Sequence, residues 1–250
     1  MSIFKKIFGG KSKEEKKEVK SESNTSFKTA TMSASDLANL KVGDTISFGN
    51  PKEKEKTYEP KWIKSNENPY NIEVFDCREY ALKMTSTTQD PRIATNFLNL
   101  RESDGKEYIG KFPENGAKCE VDLNFDTKGE QIPDGVVYKA SEMEEKWDIY
   151  KYANFLFFVR SWTGDLVYFS NYIPTEKGFK VNLIVLDDRK IDQEDPFFEF
   201  KVVEFLIHSH ILGYNVPHPI PKSLDKSNHE SILGYSFSIF GNKGQFATYE

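Results

Sequence analysis

The sequence feature that most constrains the fold is a pair of apolar, aromatic-rich runs between Phe155 and Phe169, which flank Thr163-Gly164. A short connection that ends in glycine is typical of a tight β-hairpin, because such turns need positive backbone angles. A two-residue turn at this point places Arg160 opposite Val167. Both faces of the two strands are mostly apolar, as in strands at the centre of a sheet that is covered on both sides. The sequence therefore predicts a central hairpin that carries one arginine.

Arg160 needs a partner in that setting, since a desolvated guanidinium without an anion strongly destabilises a fold. One explanation is an internal ion pair. Asp165 lies on the same predicted face near the turn, and Asp187 and Asp188 end a later predicted strand. In this interpretation the arginine is structural, and its removal lowers the melting temperature.

The alternative explanation is a binding site formed by Arg160, Trp162, Asp165 and Ser161. A planar guanidinium fork binds carboxylates and phosphates, and the indole of Trp162 offers a flat stacking surface. Trp162 and Asp165 lie opposite each other in the predicted register, and the hydroxyl of Ser161 is a further donor. The sequence leaves both explanations open.

The patterns along the chain predict an α+β fold. With 38% hydrophobic and 14% aromatic residues, the 250-residue chain has enough large apolar groups for one ordinary domain, which we place at residues 30–250. Four strand patterns with short links between residues 147 and 187 predict an antiparallel meander in a mostly antiparallel sheet. Apolar spacing with capping and proline signals predicts three or more covering helices, including 76–84, 91–103 and 196–212.

Three further elements follow from local patterns. Residues 119–126 alternate strictly between apolar and polar side chains, which predicts a half-buried strand with Cys119 on its inner face. The serine and glutamate of Ser141-Glu142-Met143-Glu144 have the spacing of a capping box and predict one or two helical turns. The runs 235–240 and 245–249 alternate on either side of a glycine-containing turn and predict a final hairpin.

The first residues form a different kind of segment. Residues 1–28 carry a net charge of +4. The whole chain carries −5, so residues 29–250 carry −9. We expect residues 1–29 to be a disordered Lys/Glu-rich tail. Its first turns place Ile3, Phe4, Ile7 and Phe8 on one helical face, which leaves weak contact with an anionic membrane open. No apolar run approaches the ~20 residues that stable membrane insertion needs.

Short chemical motifs give little support for catalysis. Cys77 and Cys119 lie far apart, so the sequence predicts neither a disulfide framework nor a zinc site. His208 and His210 would share a face on a strand, but the helix predicted here separates them by about 200°. We predict no metal and no cofactor, and the acidic body argues against binding nucleic acid.

These features favour a non-enzymatic cytoplasmic protein that binds another protein through an acidic or aromatic face. An inhibitor or immunity-type role is one version of this hypothesis. The rival hypothesis is a small-molecule enzyme or ligand sensor in which Arg160 and Trp162 anchor an anion and Tyr168 or His210 carries a proton. A concave pocket lined by Arg160 and at least one histidine or carboxylate would favour the rival. The sequence identifies neither the partner nor the oligomeric state.

Overall fold

The predicted α+β class is confirmed by the computed structural model, which describes residues 59–86, 88–191, 195 and 197–249. These residues belong to one compact unit that runs from position 57 to position 250. The predicted tail at residues 1–29 and the predicted domain start at residue 30 lie outside the described residues. None of the described helices is long and apolar enough to cross a membrane.

Strands make up most of the regular structure. In chain order they are β1 (Trp62–Ile63), β2 (Val74–Asp76), β3 (Gly116–Asp126), β4 (Gly135–Tyr138), β5 (Trp147–Tyr152), β6 (Phe155–Arg160), β7 (Leu166–Asn171), β8 (Ile173–Pro174), β9 (Gly178–Asp187), β10 (His218–Pro219) and β11 (Phe246–Thr248). The α-helices are α1 (Arg78–Lys83), α2 (Pro91–Arg101), α3 (Phe198–Leu206) and α4 (His229–Phe240). A π-helical turn at Ile207–Ile211 follows α3 directly.

The large sheet has the strand order β3-β9-β7-β6-β5-β4, with β8 paired to β9, and its pairs are antiparallel. The predicted meander is therefore confirmed, with β6 near the middle of the sheet. A small sheet of order β1-β2-β11-β10 contains one parallel pair, β10 with β11.

The large sheet is buried on both faces, as the apolar pattern of β6 predicted. Leu156 and Phe158 point to the face that α3 and α4 cover, whereas Phe157 and Val159 point to the opposite face, where Tyr108 packs. Helix α4 joins the two sheets, because Phe240 packs in the core of the large sheet and Ile232 in that of the small sheet.

The hairpin between β6 and β7 is confirmed, but its predicted register is wrong by one residue. Phe158 lies opposite Tyr168 and Val159 opposite Leu166, with a bulge between the two pairs. The connection consists of residues 161–165 rather than two residues, and Gly164 adopts a φ of 78° within it. Because side chains alternate along a strand, the one-residue shift moves Tyr168 onto the face of Phe158.

The predicted C-terminal hairpin is wrong, because residues 235–240 are helical. Asn228 caps α4 by accepting a hydrogen bond from the backbone N–H of Ser231 at 3.0 Å. Ile232, Ser236 and Phe240 form the buried face at four-residue spacing. Ser236 looks like an exposed strand position in the sequence, yet its hydroxyl donates to the carbonyl of Ile232 at 2.7 Å and is satisfied inside the helix.

The predicted helices 76–84, 91–103 and 196–212 are confirmed with small changes. Asp90 caps α2, and the helix that was predicted to run to residue 212 ends in the π-helical turn before Gly213, whose φ is 71°. Met84, at the end of the predicted helix 76–84, is 38% exposed. Ser141–Glu144 forms turns rather than a helix. There the carboxylate of Glu145 accepts a hydrogen bond from the backbone N–H of Ser141 at 2.5 Å. A side chain thus satisfies this N–H, as in a helix cap, but no helix follows.

Candidate functional site

A cleft of about 490 Å³ opens between the large sheet and helices α3 and α4. Five of its side chains carry polar groups, namely Arg160, Tyr168, Glu199, Tyr235 and, through its indole N–H, Trp147. The remaining wall is apolar and comes from the sheet, from α3 and α4 and from one proline. We call this space the Arg160 cleft. An apolar cleft with a few converging polar groups is the usual form of a ligand site.

Arg160 is fixed by the end of α4. Its Nη1 donates to the carbonyl of Ile239 at 3.1 Å, and its Nη2 donates to the carbonyl of Ser238 at 2.8 Å. The guanidinium also lies over the ring of Trp147, with 4.9 Å between its central carbon and the ring centroid. The C-terminal end of a helix carries partial negative charge, so these carbonyls take the place of an anion.

The ion pair expected for Arg160 is therefore absent from the part of the chain that the structure describes. No described carboxylate, including those of Asp165, Asp187 and Asp188, lies within salt-bridge distance of the guanidinium. Burial lowers the pKa of Arg160, although a guanidinium keeps its proton in proteins. The group thus remains a cation whose neutralisation is only partial.

Arg160 also has spare hydrogen-bonding capacity. A guanidinium has five N–H donors, and the two bonds to α4 use two of them. The side chain is only partly exposed and lines the cleft. An acceptor that entered the cleft would meet a charged donor that is already positioned and partly desolvated.

Glu199 supplies the opposite charge. It projects from α3, and its Oε2 accepts a hydrogen bond from the hydroxyl of Tyr168. Burial and, after it, the charge of Glu199 raise the pKa of Tyr168 well above its ordinary value. The same two causes, in the same order, raise the pKa of Tyr235. Both tyrosines therefore keep their protons near neutral pH, and Tyr168 donates its proton to the hydrogen bond with Glu199.

The four residues of the predicted site are not brought together. Of Arg160, Trp162, Asp165 and Ser161, only Arg160 lines the cleft. Ser161 is fully buried, with its hydroxyl bonded to the carbonyl of Glu145 at 2.6 Å. Their shared binding role depended on a two-residue turn, and the five-residue connection points them to different environments.

Trp162 and Asp165 have local partners instead. The indole N–H of Trp162 donates to the carbonyl of Met143 at 2.7 Å, and Lys146 lies over its ring. Asp165 is exposed and accepts the hydroxyl of Thr163 at 2.6 Å. The aromatic ring that accompanies Arg160 is therefore Trp147, its neighbour across β5 and β6.

No sequence pattern pointed to Arg101, a second partly buried cation. This residue forms a bidentate pair with Asp148, at 2.9 Å from Nη1 to Oδ1 and 2.7 Å from Nη2 to Oδ2. Asp148 is 1% exposed and also accepts the backbone N–H of Ala140. Nη2 of Arg101 further donates to the carbonyl of Ser161 at 3.1 Å. This pair joins α2 to the sheet and has a structural role.

The histidines do not form a metal site in the described residues. His210 is buried, and its ring meets that of Tyr138 edge to face at 4.7 Å. His218 is fully buried, with Nε2 at 2.8 Å from the hydroxyl of Ser236. Burial lowers the pKa of each to about 3, so both are neutral packing residues rather than proton carriers at pH 7.

No protein-family model, no curated protein and no solved structure matches this chain. Function is therefore inferred from the geometry of the Arg160 cleft.

Proposed function

We propose that this protein binds a small ligand in the Arg160 cleft and acts as a ligand sensor rather than as an enzyme. The observation that carries the proposal is the charged, partly buried guanidinium of Arg160, which has N–H donors left over and faces an apolar cleft. A volume of about 490 Å³ falls within the range of small-molecule sites. Carboxylates and other acceptors of matching shape are the groups that a guanidinium fork binds best.

The chemistry of the cleft supports binding over catalysis. General acid–base catalysis needs a group whose pKa lies near the working pH. Arg160 stays protonated, and the pKa values of Tyr168 and Tyr235 are raised. Among these polar groups only the carboxylate of Glu199 is a candidate base, and it already accepts the hydroxyl of Tyr168. A donor-rich cleft of this kind is suited to holding a ligand.

A second candidate is the protein-binding role predicted from the sequence, including an inhibitor or immunity-type role in the cytoplasm. One observation favours it. Phe112 is 60% exposed and Phe155 is 40% exposed, and both rings contact Phe169 at 4.9 Å between centroids. Exposed aromatic side chains that lie together are typical of protein interfaces.

Binding in the cleft is tested with nuclear magnetic resonance on the full chain. The indole N–H of Trp147 donates to the carbonyl of Ile239, the acceptor that Arg160 also uses, so its resonance reports on the cleft. The indole of Trp62 bonds to Lys226 elsewhere and is the internal control. A fragment library rich in small carboxylates is titrated, and we expect saturable shifts at Trp147 but not at Trp62.

Two variants separate the candidates. Val167→Phe fills part of the cleft with a larger side chain and removes no polar group. We expect it to abolish the Trp147 shifts. Phe155→Ser alters the aromatic patch only and should leave them unchanged. The proposal is wrong if no fragment shifts Trp147 saturably, or if the shifts survive Val167→Phe.

A further inference from the structure

Two side chains of the Arg160 cleft have hydrogen-bond donors that no described residue uses. Arg160 uses two of its five N–H groups on the carbonyls of Ser238 and Ile239. The hydroxyl of Tyr235 has no hydrogen-bond partner in the described part of the chain, and it is not sealed from solvent. Burial raises the pKa of Tyr235, so the hydroxyl keeps its proton at neutral pH. A ligand can therefore gain hydrogen bonds at two points of the cleft.

The two points lie apart along α4. Tyr235 comes one helical turn before Ile239, and both residues line the cleft. Helical side chains lean toward the N-terminus, whereas backbone carbonyls point toward the C-terminus, where Arg160 is bonded. The guanidinium and the hydroxyl are therefore separated by more than one turn, about 5.4 Å. One carboxylate cannot bridge them, so each donor meets its own group of the ligand.

The charges of the cleft decide the chemistry at each point. Arg160 is the only cation among the described residues that line the cleft, and carbonyls neutralise it only in part. A carboxylate balances this charge. A second anion beside Tyr235 would be desolvated without a described counterion, which carries a cost. A neutral carbonyl oxygen needs only the hydroxyl as its donor, so it is the group that fits there.

The rest of the wall specifies the body of the ligand. Trp147 and Val167 from the sheet and Phe198 and Val202 from α3 present mainly hydrocarbon, and each is at least nine-tenths buried. Water that fills a cleft with such walls is favourably replaced by hydrocarbon. A compact aliphatic or aromatic body is therefore the chemistry that fits between the two polar ends.

We infer that the cleft selects an oxo carboxylate, that is, a monocarboxylate with an apolar body and a neutral carbonyl oxygen at its far end. The carboxylate binds Arg160, and the far oxygen accepts a hydrogen bond from the hydroxyl of Tyr235. This inference rests on the proposed function, since it names the ligand class of the same site. It excludes simple fatty acids and dicarboxylates as preferred ligands.

The test compares matched probes by isothermal titration calorimetry with the full chain. The oxo acids are 4-acetylbenzoate and the methyl ketones from 5-oxohexanoate to 8-oxononanoate, which sample different spacings between the two ends. In the first control set a carbon group replaces the ketone oxygen, as in 4-isopropenylbenzoate and 5-methylhexanoate. In the second set the carboxylate becomes a primary amide. We expect at least one oxo acid to bind at least about tenfold more tightly than both of its controls.

Two variants locate the effect without altering Arg160, which also supports α4. Tyr235→Phe removes only the hydroxyl, and it should abolish the advantage of the oxo acid over its carbon analogue while that analogue binds as before. Tyr214→Phe removes a hydroxyl from an exposed residue that lines a different cavity, and it should leave the advantage intact.

The outcomes separate this inference from the proposed function. If carboxylates bind in the cleft but no oxo acid gains over its carbon analogue, or if the gain survives Tyr235→Phe, the inference is wrong and the proposed function stands. If no oxo acid binds but other fragments shift Trp147 saturably, again only the inference is wrong. If no probe binds and no fragment shifts Trp147, both are wrong.

Discussion

Trp147 and Arg160 donate to the same acceptor, the carbonyl oxygen of Ile239, at 2.7 Å from the indole nitrogen and 3.1 Å from Nη1. The two residues are also direct neighbours across β5 and β6. One carbonyl at the end of α4 thus joins an aromatic ring and a cation at the centre of the sheet. The wall of the cleft and the position of α4 depend on the same three groups.

Replacing Arg160 should therefore weaken the fold as well as the site. In Arg160→Met two hydrogen bonds from a charged donor to α4 are lost, which should lower the free energy of unfolding by about 2 kcal/mol. Urea unfolding monitored by circular dichroism measures the change. Arg92→Met, at a side chain that is 90% exposed, is the control and should show no measurable loss. An Arg160 variant as stable as the wild type would contradict the structural role of these bonds.

The Arg101–Asp148 pair is expected to be the most sensitive ionic contact in the described chain. Asp148→Asn leaves the partly buried guanidinium of Arg101 without its buried counterion and should cost about 3–5 kcal/mol. The matched control is Asp122→Asn, whose side chain is 72% exposed and pairs with Lys180. Exposed pairs contribute little, so this control should unfold at nearly the wild-type urea concentration. Equal effects of the two substitutions would refute the assignment.

Gly241 should not tolerate any side chain. Its φ is 61°, and a Cβ atom there would lie 1.7 Å from the backbone carbonyl oxygen of Glu144. We expect Gly241→Ala to cost at least about 3 kcal/mol, because backbone must move to relieve the overlap. Gly213→Ala has a similar φ of 71° with nothing within 4 Å of the added atom, and it should cost about 1 kcal/mol. Comparable thermal melting temperatures for the two variants would contradict the close approach.

Stability should fall with acidification through His210 and His218. Burial, as the larger cause for both, lowers their pKa to about 3, whereas an unfolded histidine titrates near 6.5. The unfolded state therefore binds more protons below pH 6.5, so the stabilisation is complete above that value and is lost as the pH falls toward 3. Each histidine should lower the free energy of unfolding by roughly 2 kcal/mol between pH 7 and pH 5.

Urea unfolding at pH 7 and pH 5 measures this loss. In His210→Leu one titrating group is absent, so the drop between the two pH values should shrink by roughly 2 kcal/mol whatever the stability of the variant at pH 7. An unchanged drop would show that His210 does not titrate in this way. A histidine whose pKa is raised by an ion pair would have the opposite effect, because the protein would then lose stability as the pH rises.

Much of the fold could be predicted from local sequence patterns. The meander follows from four apolar runs with short links, and α2 follows from Asp90 followed by Pro91. These signals act between residues that are close along the chain. The predicted C-terminal hairpin was wrong because Ser236 and Ser238 alternate with apolar residues, as in a strand. The residues that are buried, Ile232, Ser236 and Phe240, are instead four positions apart, as on one face of a helix.

The site could be predicted only in part. Arg160 stands out in the sequence because an arginine in an apolar strand is unusual, and its role in binding stays a prediction. Its partners are backbone carbonyls 78 and 79 positions away, and a carbonyl has no sequence signal. Glu199 comes from a helix whose docking on the sheet is a tertiary event, so its place opposite Arg160 could not be read from spacing.

The bulge in β7 makes the length of the chain between residues 159 and 168 as important as its composition. With the extra residue, Val167 and Tyr168 both pack in the core below α3, and both line the cleft. A deletion of one residue in this segment would turn Tyr168 toward the opposite face and carry its hydroxyl away from Glu199. Substitutions in the connection can be absorbed by local contacts, but a change in its length would dismantle the cleft as a whole.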